Sequence, residues 1–444
     1  MTKQPAFQLP GITPASTAKL HELLEKNHKW EILFDGYRHN HGAHVLLTCY
    51  SLGASPEELE AQYEDQLEIQ RELSPTRYDN AADKLKDRKV FEAHLGDPRF
   101  YHDYLVFFEQ EIKQHGFNET LTHYYGDPCI MIQAHMGVLH GVIHLGYAID
   151  FENDMILAEA LALCSVQPRD FDFSKPRFTN WVFDAEKKAA GQSQTDALSF
   201  SDILKDVRSR KEALGLRTDE PFDNTSLVSP DNYANPEMSA KLEQTFAKWA
   251  LEPTHESIQE KLKELATETT LLYACTNLKE SDPVTFDFIL IHMVTSLYFL
   301  PLILKFFSLE KQVTMVKMYM RYLVIIYIIA GAPEVHGEWL QQTDENDDEP
   351  SSAAWANLLQ QAVAYPDLHL VKIVRTLAHW DSVYGKEDQY HYFYKAAKRT
   401  LNASKNGFPW VFGIGYKVPK LYDIPAKDDG TFDMMMARFI HRKD

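Results

Sequence analysis

The sequence predicts an all-α fold, a large bundle-like helical enzyme with long irregular excursions and few or no strands. Three observations carry this. Apolar residues recur at helical spacing through long stretches, helix-start signals stand ahead of several of them, and strand-like alternation is scarce. At 444 residues, with 45% apolar and 12% aromatic content, the chain can bury a sizeable core and still line an aromatic pocket.

The elements follow in order. Residues 1–165 read as an N-terminal helical half. Ser55-Pro56-Glu57-Glu58 gives a Ser N-cap, a Pro in the first turn and a Glu three residues after the cap, and Gly53 ends the helix before it. Asp127-Pro128 opens a second helix ahead of the run CIMIQAHMGVLHGVIHLGYAI. Residues 166–240, rich in Asp, Ser, Pro and Asn, read as an irregular excursion or lid. Residues 241–444 form a C-terminal helical half that completes the site, with Phe286–Phe307 and Met315–Ala330 as central helices. Within it the acidic run Asp344–Glu349 is expected to be a solvated loop, and the tail beyond about residue 405 to wrap over the body. The three segments read as one continuous catalytic domain, with no internal repeat.

Charge and cysteine usage narrow the function. A formal net charge of −19 argues against nucleic-acid and anionic-membrane partners, which demand clustered Lys and Arg. The most apolar run, Phe288 to Ile303, is shorter than the roughly 18–20 residues of a spanning helix. Cys49, Cys129, Cys164 and Cys275 are widely spaced and form no C-x-x-C pair, so each is expected as a small hydrophobe in a reducing compartment. The first sixteen residues lack the apolar core of a secretory signal, and the expected location is cytoplasmic. Oligomeric state is not set by any of these features.

Nineteen histidines are many for this length. His140 and His144 stand four apart in an apolar helix and share a face; two hydrogen-bonded core histidines and two reactive ones are both consistent with that spacing. In His39-Asn40-His41-Gly42-Ala43-His44, His44 borders an apolar run and is the expected inward group, with His39 and His41 nearer the surface or in supporting positions. His292 lies alone on an apolar helix with Thr295, a candidate partner, one turn on. His369 and Lys372 share a face of another apolar stretch. A buried lysine loses its charge, and its neutral amine can combine with carbon dioxide to give an anionic carbamate able to bind a metal; the alternative is a lysine snorkelling to water. One or two inward imidazoles on each of four helices is how metal sites in bundles are built.

Missing motifs also decide. No H-E-x-x-H, P-loop or G-x-S-x-G occurs, and the lack of a strand–G-x-G-x-x-G–helix unit disfavours an ordinary Rossmann flavoprotein. His102-Asp103 is a lone doublet that carries little.

These residues resemble the signature of the questin oxidase family. The resemblance rests on His140-Gly-Val-Ile-His-Leu-Gly-Tyr-Ala148 with Ala158-Glu-Ala-Leu-Ala162, on Asn40-His41-Gly-Ala-His44-Val-Leu-Leu with Leu52-Gly-Ala-Ser-Pro56, and on His369-Leu-Val-Lys372-Ile-Val-Arg375. These matches span about residues 35–400 in order, and the His-Leu-Gly-Tyr stretch is the most specific. The resemblance implies a tailoring oxidase of fungal type that opens a ring of an anthraquinone-like polyketide with molecular oxygen, by Baeyer–Villiger-type insertion or C–C cleavage. It further implies a mononuclear non-haem iron, cycling between Fe(II) and Fe(III), held by histidines and a carboxylated lysine. Carried onto this sequence the ligands are His44, His144, His292, His369 and Lys372, with His140 an alternative to His144 and His336 to His369. His140 is then an orienting group or general base. Tyr147, Tyr298, Phe299, Trp380 and Tyr384 are candidates for an aromatic wall around a flat small-molecule substrate. An NADPH requirement is implied for some members, but no motif here supports one. A metal-independent or flavin-assisted oxidase and a non-catalytic helical scaffold are the rival readings.

Overall fold

The structure, a computed structural model, describes residues 4–34, 38–168, 197–213, 216–222, 242–276, 284–341, 350–405 and 409–421. It is predominantly α-helical, and its five described strands are each two or three residues long. The main helices are α1 (Pro14–Asn27), α2 (Gly42–Ser51), α3 (Pro56–Leu67), α4 (Tyr101–His115), α5 (Pro128–Phe151), α6 (Asp154–Val166), α7 (Phe200–Ser209), α8 (His255–Ala274), α9 (Leu290–Leu297), α10 (Leu309–Ile329), α11 (Ser352–Val363), α12 (Leu368–Tyr384) and α13 (Tyr392–Lys405).

Their starts follow from the capping residues. Ser55 accepts from Glu58 N while the Glu58 side chain returns to the cap, a complete capping box at the head of α3. Gly53, at φ +84°, makes the turn between α2 and α3. Asp127 caps α5 through Cys129 N, and Asp367 caps α12 through His369 N and Leu370 N.

Strands β1 (Leu33–Phe34) and β2 (Arg38–His39) form an antiparallel hairpin that delivers the chain to the head of α2. Strand β3 (Phe286–Asp287), just ahead of α9, pairs in parallel with β4 (Trp410–Phe412), which pairs antiparallel with β5 (Lys420–Leu421). The start of the C-terminal tail thus lies on the body, beside the segment that leads into α9.

The expected central helix over Phe286–Phe307 is divided. Helix α9 ends at Leu297, and a five-residue helix, Leu300–Leu304, follows with Pro301 in its first turn. Pro301 has no N–H to donate into the preceding helix, so the chain restarts there. Helices α5 and α10 have the length and apolar composition of membrane spans, yet 83% of the relevant window in each is buried inside the protein. They are the axial helices of the core.

One apolar cluster runs through helices of both halves, from Leu20 of α1 to Ala403 of α13. Of the expected excursion, residues 169–196 and 223–241 lie outside the described residues, as does the acidic run Asp344–Glu349. Between them α7 packs Phe200, Ile203, Leu204 and Val207 inward. Cys49, Cys164 and Cys275 are buried, and Cys129 is exposed.

Candidate active site

Four segments converge on a cluster of imidazoles, all buried except His41, which is part-exposed. The β2–α2 junction brings His39, His41 and His44; α5 brings His140 and His144; α9 brings His292; α12 brings His369 and Lys372. Asn40 fixes the junction, its side chain accepting from Gly42 N at 2.8 Å and its own N–H donating to Ile32 O at 2.9 Å. At the far side Asp367 also accepts from Trp410 Nε1 at 2.8 Å, tying α12 to β4.

Four of the rings close a loose square. Centroid separations are 5.0 Å for His41–His140, 4.8 Å for His140–His292, 5.6 Å for His292–His369 and 5.4 Å for His369–His41. Imidazoles sharing one metal through a nitrogen about 2.0–2.1 Å away put their ring centres roughly 4.5–5.3 Å apart. His41 Nε2 and His140 Nε2 stand 2.9 Å apart, close to the roughly 3 Å between neighbouring nitrogens on one metal. The square is not closed to ligand distances throughout: among the described residues no three His, Cys, Asp or Glu side chains are gathered tightly enough to hold an ion as they stand.

The free atoms fit a cation nonetheless. His292 Nε2, His369 Nε2, Lys372 Nζ and His44 Nδ1 are all buried and lack a hydrogen-bond partner. Such orphans are costly unless a ligand satisfies them. Burial, reinforced by neighbouring cationic groups, holds the His41, His44, His140 and His369 rings well below the usual imidazole range, and the His292 ring at about 3. Burial also pushes Lys372 down to about 7, against a small opposing pull from Asp367. The square is therefore a set of neutral nitrogen bases beside a reactive amine.

Backbone carbonyls choose which nitrogen each ring presents. His292 Nδ1–H donates to Phe288 O at 2.8 Å, so Nε2 carries the lone pair. His140 Nδ1–H donates to Gly137 O at 2.5 Å with the same result. Helix α5 is broken at this point: Gly137, Val138 and Leu139 have φ of 57°, 55° and 66°. Left-handed conformation in a β-branched residue and in Leu costs about 1–3 kcal/mol each and tends to mark functional sites. Gly137 is needed, because a Cβ there would stand 2.6 Å from the Gln167 side-chain amide. Gln167 in turn accepts from His39 Nε2 at 2.7 Å, and His39 stacks on His140 at 3.9 Å.

The predicted residues are thus sorted by geometry. His292, His369 and Lys372 come together with His140. His144 is fully buried but committed at both nitrogens, Nδ1 to His44 Nε2 and Nε2 to Glu159 Oε2, each at 2.9 Å. His44 lies one ring away from the square, in contact with His41 at 5.6 Å and with Tyr147 at 5.0 Å. Thr295 bonds back to Ile291 O at 3.2 Å, so the partner of His292 is the carbonyl of Phe288 instead. Tyr147 is bonded to Thr48 and packs on Phe299 at 4.6 Å. Tyr298 continues that aromatic chain to His379, which adjoins Trp380 and, beyond it, Tyr384. His336 pairs with Glu338 at 3.2 Å and stacks on Trp339 in a part-exposed loop. The His102-Asp103 doublet is structural, since Asp103 accepts from the N–H groups of Arg77 and Tyr78.

Sequence reasoning missed three participants. His41 was expected near the surface or in a supporting position; it is part-exposed, and the hairpin brings its ring against His140 and His369. Phe288 packs edge-on against both His292 and His369, at 5.1 Å and 4.7 Å. Glu159 is a carboxylate buried to 1% exposure, and the available signal was a lone acid inside the apolar run Ala158–Ala162.

Fold and site together define a helical protein with a buried polyhistidine centre. The sequence profile of the Questin oxidase-like family matches residues 38–377, and the chain belongs to that family. The matched stretch includes the whole square and Lys372. A Baeyer-Villiger monooxygenase of Cryptosporiopsis sp. (strain 8999) is 26% identical over 396 residues, 86% of this chain and 85% of its own. Oxidoreductase AflY of Aspergillus parasiticus is 27% identical over 400 residues, 85% of this chain and 75% of its own. The questin oxidase of Aspergillus terreus is 27% identical over 376 residues, 81% and 80%.

Proposed function

We propose that this chain is a metal-dependent oxygenase that opens a ring of an anthraquinone-like polyketide with molecular oxygen. The names of its relatives support the oxidative class. The observation that carries the metal is the square of His41, His140, His292 and His369, with orphaned nitrogens on two of them and on Lys372. These five residues are the proposed holders of one non-haem iron. Of the two alternatives that the resemblance left on α5 the set takes His140, and it puts His41 in place of His44.

The donor set suits such an ion. Lys372, pushed down to about 7 by burial and so about half neutral near pH 7, attacks carbon dioxide through its amine; a C–N bond forms, one proton leaves, and an anionic carbamate remains. Four neutral imidazoles with one hard anion make a mixed site compatible with iron. When bound, the iron supplies the one-electron path that lets an aromatic substrate react with ground-state dioxygen.

The remaining work belongs to the protein. The unpartnered His44 Nδ1 takes the proton of a phenolic substrate hydroxyl. Tyr147, stacked on His44, and Phe288, against His292 and His369, offer apolar faces to a flat ring system. The apolar core around the square keeps water from the activated substrate. Cleavage that keeps both oxygen atoms in the product balances without a reductant. Insertion of one atom, with the other leaving as water, takes two electrons and two protons, which a hydroquinone form of the substrate supplies.

The test is metal analysis with activity. Purified wild-type protein is expected to contain iron and to consume oxygen with an anthraquinone, and Lys372→Ala to lose both. Iron content and oxygen uptake that survive in Lys372→Ala, or a yellow metal-free wild-type enzyme, contradict the proposal.

A further inference from the structure

A buried hydrogen-bond chain leads from the imidazole cluster to the surface. His44 Nε2 meets His144 Nδ1 at 2.9 Å, and His144 Nε2 meets Glu159 Oε2 at 2.9 Å. Glu159 Oε1 meets His28 Nδ1 at 2.6 Å, and His28 Nε2 meets Glu109 Oε1 at 2.8 Å. Side-chain exposure rises along it, from 0% at His144 and 1% at Glu159 to 18% at His28 and 46% at Glu109. Five elements build it: α2, α5, α6, the end of α1 and α4, which carries Glu109. Three buried polar side chains in contact are an expensive feature of an apolar core unless they serve something.

The polarity of the chain follows from one residue. Glu159 is ionised: burial alone raises its affinity for a proton, but the bonds from His144 and His28 outweigh this and hold it below the usual carboxylate range. A carboxylate only accepts, so both His144 Nε2 and His28 Nδ1 donate to it. The cation that balances it is His28, which its bonds to Glu109 and Glu159, against burial, raise to about 9. A single proton on His144 sits on Nε2, facing the carboxylate, and leaves a lone pair on Nδ1. His44 Nε2 must donate to that lone pair, and so His44 Nδ1 is bare. This agrees with the independent finding that His44 Nδ1 has no partner.

We propose that Glu159 is a positioning residue, which through His144 fixes the tautomer of His44 and presents its Nδ1 to the substrate as a proton acceptor. His28 is the counter-charge that keeps Glu159 ionised. When a substrate hydroxyl gives its proton to His44 Nδ1, the Nε2 proton passes to His144 Nδ1, and the His144 Nε2 proton to Glu159. One proton is transferred, both rings stay neutral with their tautomers exchanged, and Glu159 becomes a carboxylic acid. The exchanged chain is poised to return the proton to an oxygen of the product. Proton transfer from substrate rests on the oxygenase reading above; the tautomer assignment does not.

The experiment is nitrogen-15 NMR on the metal-free full chain labelled at histidine, with resonances assigned by His44→Asn and His144→Asn. In the wild-type protein His44 and His144 are each expected to show a protonated Nε2 and an unprotonated Nδ1. Glu159→Asp keeps an acceptor and keeps this pattern. Glu159→Gln places an amide N–H against His144 Nε2 and is expected to exchange the protonated and unprotonated nitrogens in both rings. With substrate, Glu159→Gln is expected to lose about 10–100-fold in kcat with little change in KM, the usual cost of losing such a supporting partner. A wild-type spectrum with His44 protonated at Nδ1 overturns the proposal even if Glu159→Gln does not fold, and unchanged tautomers in a folded Glu159→Gln do the same. Neither result depends on which metal is bound or whether the chain is an oxygenase.

Discussion

His140 and His292 become inward-facing bases by the same device, an Nδ1–H given to a backbone carbonyl three or four residues earlier. Neither carbonyl can be read from the sequence as a partner, because each is available only where the helix permits it. The spacing of His369 and Lys372 was legible, since three residues put them on one face. The choice between His140 and His144 was not, because both sit on the same buried face and differ only in what their nitrogens meet. Two predictions belong here. Protein supplied with carbon-13 bicarbonate is expected to show a carbamate carbon signal by NMR that disappears in Lys372→Ala, since the amine is neutral enough to react near pH 7. For His28, the folded-state value of about 9 lies above the ordinary 6.5, so its stabilisation is complete below about pH 6.5 and is lost as pH rises through 9. Allowing for its partial exposure, this amounts to on the order of 2 kcal/mol. Denaturant unfolding at pH 6 and pH 9.5 is expected to show that difference in wild type and to lack it in His28→Gln.

At the scale of the element, the break in α5 is the feature that no periodicity reveals. The run from Pro128 to Phe151 is apolar throughout, and both arms remain helical, so the pattern reads as one helix. What interrupts it is tertiary: Gln167, at the end of α6, bonds His39 and lies against Gly137. Gly137→Ala is expected to destabilise the protein by about 2–3 kcal/mol, from the positive φ and the clash with Gln167, and to move His140 out of the square. Chemical denaturation measures the first effect and metal content the second. The opposite case is α3, where Ser55-Pro56-Glu57-Glu58 was sufficient to locate the helix start, because a capping box is satisfied by neighbours in sequence. Ser55→Ala is expected to cost about 1 kcal/mol in the same assay and to leave the site untouched. The division at Pro301 was also written in the sequence, but the apolar run around it concealed it.

Across the whole molecule, the site is assembled from sequence-distant parts: His41 and His140 come from the first half, His292, His369 and Lys372 from the second. Neither half closes the square alone, and one apolar core spans both. The helical class was readable because it depends on local pattern and caps. The roles of His41 and Glu159 were not, because each is decided by a partner more than ten residues away in the chain: His140 for His41, and His144 and His28 for Glu159. The central claim is that the metal is held by the square and not by the chain of hydrogen bonds behind it. Elemental analysis of purified wild type, His41→Ala and His144→Ala tests this most directly. About one iron per chain is expected in the wild type, with loss of that iron in His41→Ala and its retention, with impaired turnover, in His144→Ala. Full iron in His41→Ala together with none in His144→Ala would contradict it.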